Sequence, residues 1–367
     1  MTIGAGLLCI GSALAAQAMG VDGCIAVQAA EFGGGASPPP GASPRRPEVT
    51  LLQAGRYCLE SDLHQRKLLD PRTGREMKTL GGDAIVLVGA DDVSVDLQGH
   101  RISNERELGY TLLRHYRYEP GLGHFHAFVR TRIHNGRLFS PGSRGIGIRL
   151  ASSRTYDTPG FGMPVRIPQG SKPADVFRDT GHVLEDLRIE AGSHAILLDG
   201  ANNIIRNNRL VVDSTTAIVA QGPGVLIENN VIEVRRRPRS SPVRQPAGLP
   251  EAEKRGEAGA SSVIRLIQAD GAVVRNNQIR LLGESGEDPL PAAIDLAASR
   301  DVVVEDNAMQ GMRQVILADA ESSYREARNC LQVCAGKAVR FLPPDEAGDA
   351  AVARQPSCRS LLDPARR

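Results

Sequence analysis

The chain has 367 residues, a formal net charge of +2, 4% aromatic residues and no tryptophan. A balance this close to zero says little about partners by itself, and no general polyanion-binding surface follows from it. The length exceeds one compact core but is ordinary for a one-dimensional stack, so it does not by itself demand two domains.

Residues 1–18 carry the apolar run GAGLLCIGSALAA followed by Ala16-Gln17-Ala18, a small-x-small cleavage pattern. They read as an export signal despite the lack of Lys or Arg ahead of the run. The run is too short to span a bilayer, and a periplasmic or secreted protein without a transmembrane segment follows. Residues 19–47 are a linker that is disordered by composition, most plainly EFGGGASPPPGASPRRP at 31–47. Removing 1–18 leaves Cys24, Cys58, Cys330, Cys334 and Cys358. An oxidising compartment favours one or two disulfides among them, with unassigned pairing. A zinc site from Cys330, Cys334 and Cys358 is the competing reading, and no His lies nearby to complete it.

Residues 48–320 carry a repeat. In HAILLDGANNIIRNNRLVVDSTTAIVAQGPGVLIENNVIEV (194–234) one motif is written twice, offset by 22 residues. Ala195-Ile196 falls on Ala217-Ile218, Ile205 on Ile227, Asn207-Asn208 on Asn229-Asn230 and Leu210 on Ile232. Apolar residues come in short alternating bursts separated by Gly, Asp and Asn, which gives three mini-strands per repeat and not a helix. Three strands per repeat make one coil of a parallel β-helix, and only stacked coils bury their inward side chains. The phrase recurs at Ile133–Leu138, Leu184–Ile189, Val274–Ile279 and Val304–Met309, for about 8–10 coils of an all-β solenoid with loop insertions. Beyond 320 the period fades, and 321–367 reads as a C-terminal cap or tail.

The phrase Asp-Asp-Val-Ser-Val-Asp-Leu-Gln-Gly-His (91–100), with the recurring Ile/Val-x-Asn-Asn-x-Ile, resembles the right-handed parallel β-helix repeat proteins of the pectate-lyase-like group. The resemblance covers about 83–318 and implies a right-handed coil. It also implies that the second Asn of each doublet (Asn208, Asn230, Asn277, Asn307) stacks in a turn, and that polysaccharide lies on the sheet of first strands. The repeat specifies fold better than activity. Signatures of the group's galacturonan hydrolases are missing: Asp91-Asp92 sits in the wrong coil and Gly181-His182 lacks a second Gly. The mannuronan epimerases' Asp-Pro-His-Asp is absent too.

Two insertions interrupt the array. Residues 103–122 fall between a third strand and the next first strand, and 151–181 between a first and a second strand, so they should rise on opposite sides of the first-strand sheet and wall a groove. Near the first lie Tyr110, Arg114, His115, Tyr116, Tyr118, His124, His126, Arg130 and His134, residue types that bind acidic sugars and move protons. Alternation points Ile146/Ile148, Ile196/Leu198, Ile218/Ala220, Ile264/Leu266 and Ile294/Leu296 inward. Arg149, Leu197, Asp199, Ala217, Val219, Arg265 and Asp295 then point outward. The candidate catalytic residues are His124, His126, Arg149 and Asp199; the candidate substrate-binding residues are Tyr110, Arg114, Tyr116, Arg130, Arg265 and Asp295. No metal site or cofactor is expected, since Asp199 and Asp295 alone do not make a calcium site. Residues 235–261 carry seven Arg/Lys against three Glu and lack the aromatics of a nucleic-acid groove.

The expected function is that of an exported, monomeric protein acting on an acidic polysaccharide, by lyase-type or epimerase-type chemistry before hydrolysis. The alternative is a non-catalytic β-helix that binds glycan or serves as an envelope scaffold. Nucleic acid is not an expected partner.

Overall fold

The structure, a computed structural model, describes residues 23–27, 49–65, 84–104, 111–115, 117–119, 124–126, 128–143, 145–150, 177–213, 216–235, 262–282, 290–335 and 338–341. The described residues are all-β, in two long parallel sheets of nine and eighteen strands and one two-stranded hairpin. The nine-stranded sheet contains one first strand from each coil: Val49–Leu51, Val86–Val88, Thr111–His115, Ile146–Leu150, His194–Asp199, Ile218–Gln221, Ser262–Ile267, Leu290–Ala297 and Met312–Ala318. The eighteen-stranded sheet holds the second and third strands as two adjoining columns, so the described residues form a parallel β-helix solenoid of nine coils.

The repeat offset becomes physical register. Ile205 pairs with Ile227 and Leu210 with Ile232 in adjacent parallel strands, and all four are fully buried. They belong to one continuous aliphatic core that runs from Val27 to Leu331. Each such side chain contributes roughly 1.5–3 kcal/mol on burial, which a single coil could not realise.

The corner between second and third strands is a single left-handed residue, with φ of 57° at Asn207, 57° at Asn229, 54° at Asn276 and 55° at Asp306. Asn and Asp tolerate that conformation, which explains the first member of each doublet. The second member turns inward. The Asn208, Asn230, Asn277 and Asn307 amides each donate to the next ladder carbonyl at 3.0 Å, and the row ends on Asn329. At the corner leaving the first strand, Gly200 and Gly222 have φ of 98° and 116°, and a Cβ on Gly222 would lie 2.5 Å from the Gly200 carbonyl oxygen. Only glycine permits that stacking distance.

Several expectations need correction. Val49–Leu51, Gly55–Leu59 and Leu63–Gln65 form the first coil, and Val86–Val88, Val93–Asp96 and Arg101–Asn104 the second. Within the 19–47 linker, Ile25–Val27 is a strand paired with Tyr57–Leu59, and Cys24 is disulfide-bonded to Cys58. Cys330 is also in a disulfide, which removes it as a zinc thiolate. The solenoid continues past 320, through Tyr324–Ala327 and Cys330–Ala335, and closes with Ala338–Phe341 antiparallel to the latter.

Ile146 packs on the outer face of its sheet with Leu197 and Val219, while Ala217 belongs to the core. The cause is local: the Ala195 and Ile196 amides both donate to the Ala217 carbonyl, so two successive residues turn inward and the alternation shifts. Residues 1–18, 31–47, 151–176, 236–261 and 283–289 lie outside the described residues.

Candidate active site on the first-strand sheet

The insertions leave the sheet differently from the sequence expectation. Thr111–His115 is itself a first strand, with Leu112 and Leu113 fully buried. The interruption therefore runs from 116 to 131, between a first and a second strand, as does the one after Leu150. Both follow a first strand and so depart from the same edge of the sheet, in consecutive coils. The 116–131 interruption includes the antiparallel hairpin Arg117–Glu119 with His124–His126. Its side chains, with those of His115 and Tyr118, and all of Tyr110 and Tyr116, lie outside the described residues.

On the outer face of the sheet, one row is fixed by register. Leu87, Arg114, Arg149, Leu197, Val219, Arg265, Asp295 and Leu317 are successive partners from the second coil to the ninth. At the roughly 4.8 Å spacing of strands, Arg149 and Arg265 are separated by two apolar rungs. The row thus has two polar halves, Arg114/Arg149 and Arg265/Asp295, with Leu197 and Val219 between.

Arg265 lies 3.5 Å from Asp295, with side chains only 16% and 15% exposed. Burial pushes the Asp295 carboxyl above its ordinary value, partly opposed by Arg265 and reinforced by Asp319. Asp199, two residues along from Leu197, is buried opposite Gln221. At the near end of its strand His194 accepts or donates a 2.7 Å hydrogen bond with Ser193, and burial drives its pKa down to about 4. This imidazole is neutral at pH 7.

Other candidates serve elsewhere. Arg130 makes an exposed pair with Asp92 at 2.7 Å in a turn. His134 sits on the second-strand face, 3.9 Å from Asp96, and its pKa is lowered chiefly by burial. His182 is fully buried and accepts from the Thr131 amide at 3.2 Å; Asp91 accepts from the Val129 amide at 2.8 Å. The partial hydrolase signatures are therefore turn residues. Among the described residues, no group of three or more His, Cys, Asp or Glu is placed to hold a metal ion. No helix among them is long and apolar enough to cross a membrane.

Two charged rows escaped the sequence reading. On the second-strand face Asp96, His134, Glu185, Arg206, Glu228, Arg275 and Glu305 are successive partners. Glu185 joins Arg206 at 2.6 Å and also pairs with Arg132, and Glu228 joins Arg275 at 2.7 Å. On the third-strand face, Arg101, Arg137, Arg188 and Arg209 are successive partners. The first row was legible in the residue before each Asn doublet, which alternates Arg206, Glu228, Arg275, Glu305.

No protein-family model, curated protein or solved structure matches the chain. The fold and the site geometry therefore carry the functional argument alone.

Proposed function

We propose that this protein is an exported β-helix that acts on an acidic polysaccharide at the outer face of its first-strand sheet, as the pectate-lyase-like group it resembles would. The supporting observation is the Arg265–Asp295 pair: a cation beside a carboxyl that burial holds protonated to higher pH than usual. Lyase-type and epimerase-type reactions on a uronate both remove a proton next to a carboxylate. Arg265, in line with Arg149 and Arg114, would neutralise that carboxylate; in the lyase reaction Asp295 in its ionised form would take the C5 proton as the C4–O bond breaks and then hand it to the departing oxygen.

The test is incubation with pectate, alginate and hyaluronan, following the ultraviolet absorbance of an unsaturated product and, for epimerisation, the sugar NMR spectrum. Asp295→Asn should reduce the rate by about 100-fold or more. Full activity in that variant would sink the assignment.

The second reading is a non-catalytic glycan-binding or scaffold protein. The apolar rungs Leu197 and Val219 favour it, because they split the polar row. It predicts binding without any change in the polymer.

A further inference from the structure

We propose that Arg101, Arg137, Arg188 and Arg209 form a docking strip for a linear acidic polysaccharide on the third-strand face, away from the first-strand sheet. The proposal rests on the acidic-polysaccharide reading above but not on which residues do the chemistry.

The two charged rows of the eighteen-stranded sheet are built differently. Along the second-strand face, from Glu185 on, sign alternates from rung to rung, so each charge meets its opposite. Along the third-strand face, four cations stand in register on four consecutive coils. Like charges directly opposite one another across a sheet destabilise it. Arg137, Arg188 and Arg209 are exposed, and Arg101 is half-buried above the Phe139 ring at 4.2 Å from its centre.

Neutralisation is sparse. Arg209 reaches Glu233 at 3.1 Å, while the Arg137 Nε donates to the Gly99 carbonyl at 3.2 Å. Arg188 has no ion-pair partner among the described residues. Two other acids beside the strip have partners of their own: Glu190 pairs with Arg235 at 2.8 Å, and Asp62 accepts from the Arg101 amide at 2.8 Å and meets His100 at 3.3 Å. Asp62 is held below the ordinary carboxylate range chiefly by that amide, with smaller contributions from His100 and Arg137.

The strip runs into a groove. From Arg209 onward the same face opens into a hollow of about 530 Å³ lined by Asn207, Asn229, Glu233, Gln278 and Arg280. A chain laid along the arginines would continue into it.

The run of like charge points to the occupant. The arginines stand on neighbouring strands about 4.8 Å apart, a row of cations suited to a polymer that carries a carboxylate on each sugar ring, and each guanidinium can engage a carboxylate through two parallel N–H bonds. Single-stranded nucleic acid would need exposed aromatic faces for its bases. The Phe139 ring on this part of the face is covered by Arg101.

The experiment compares full-length wild type, Arg137→Glu/Arg188→Glu and the milder Arg188→Gln in calorimetric titrations with polygalacturonate and alginate oligomers over a salt series. Arg313→Glu, exposed on the last coil, controls for a single charge reversal away from the strip. The double variant should lose at least about tenfold in affinity and show a shallower salt dependence; Arg188→Gln should lose less, and Arg313→Glu nothing. Circular dichroism checks that the fold is retained. Wild-type binding that survives the double substitution overturns the strip and leaves the functional reading standing. Absence of wild-type binding to any acidic polysaccharide overturns both. Equal binding of an oligothymidylate to the wild type overturns the choice of polysaccharide.

Discussion

Asn230 shows how a polar side chain earns a place in an aliphatic core. It is fully buried, donates to the Ile205 carbonyl and to Asn277 at 3.0 Å, and accepts from the Asn208 amide and side chain. Every group it touches is itself buried, so removal strands partners on both sides. Asn230→Ala should cost about 1–3 kcal/mol, read by urea unfolding; a loss well under that would mean that the ladder relaxes around the gap. The doublets were legible because one residue must adopt a left-handed angle and the next must bridge coils. The inward turn of Ala217 was not legible, since it comes from a carbonyl shared by two amides in the neighbouring coil.

At the scale of the strand, Glu185 begins the alternating row. Burial raises its carboxyl pKa, but hydrogen bonds from Arg206 and Arg132 outweigh this, leaving it below the ordinary 4.5. A depressed carboxylate contributes stability above its unfolded value, and that contribution is lost as pH falls through the folded one. Glu185→Gln should therefore cost about 2 kcal/mol at neutral pH. The gap from wild type should narrow as the medium is acidified below 4.5, tracked by unfolding curves at several pH values. A gap independent of pH would show that packing, not charge, holds this position. The misplaced insertion also belongs to this scale. Thr111–His115 has two adjacent leucines in place of alternation and lies among Tyr, His and Arg, so its strand character emerges only from pairing with Val86–Val88 and Ile146–Leu150.

For the whole molecule, the coils stabilise one another by contact with neighbours, and the ends are the weak points. The Cys24–Cys58 bond, 34 residues apart, ties the first strand to the first coil. Replacing both by serine should cost roughly 3–4 kcal/mol by loop-closure entropy. Hydrogen exchange should accelerate at 55–59 and remain slow at 204–234, and uniform acceleration would contradict a nearest-neighbour stack. The far end explains why the period faded after 320. Tyr324 is 46% exposed, and among the described residues no further coil covers its strand, so aliphatic alternation is not required there.

That far end ends in a strand of opposite direction. Ala338–Phe341 occupies the hydrogen-bonding edge of Cys330–Ala335 and runs against it. A second molecule arriving head to tail would meet a reversed template along that column and could not extend it in the same sense. Without this reversal, the edge of that column would be open to another parallel strand; with it, the edge is taken by a strand of the opposite sense.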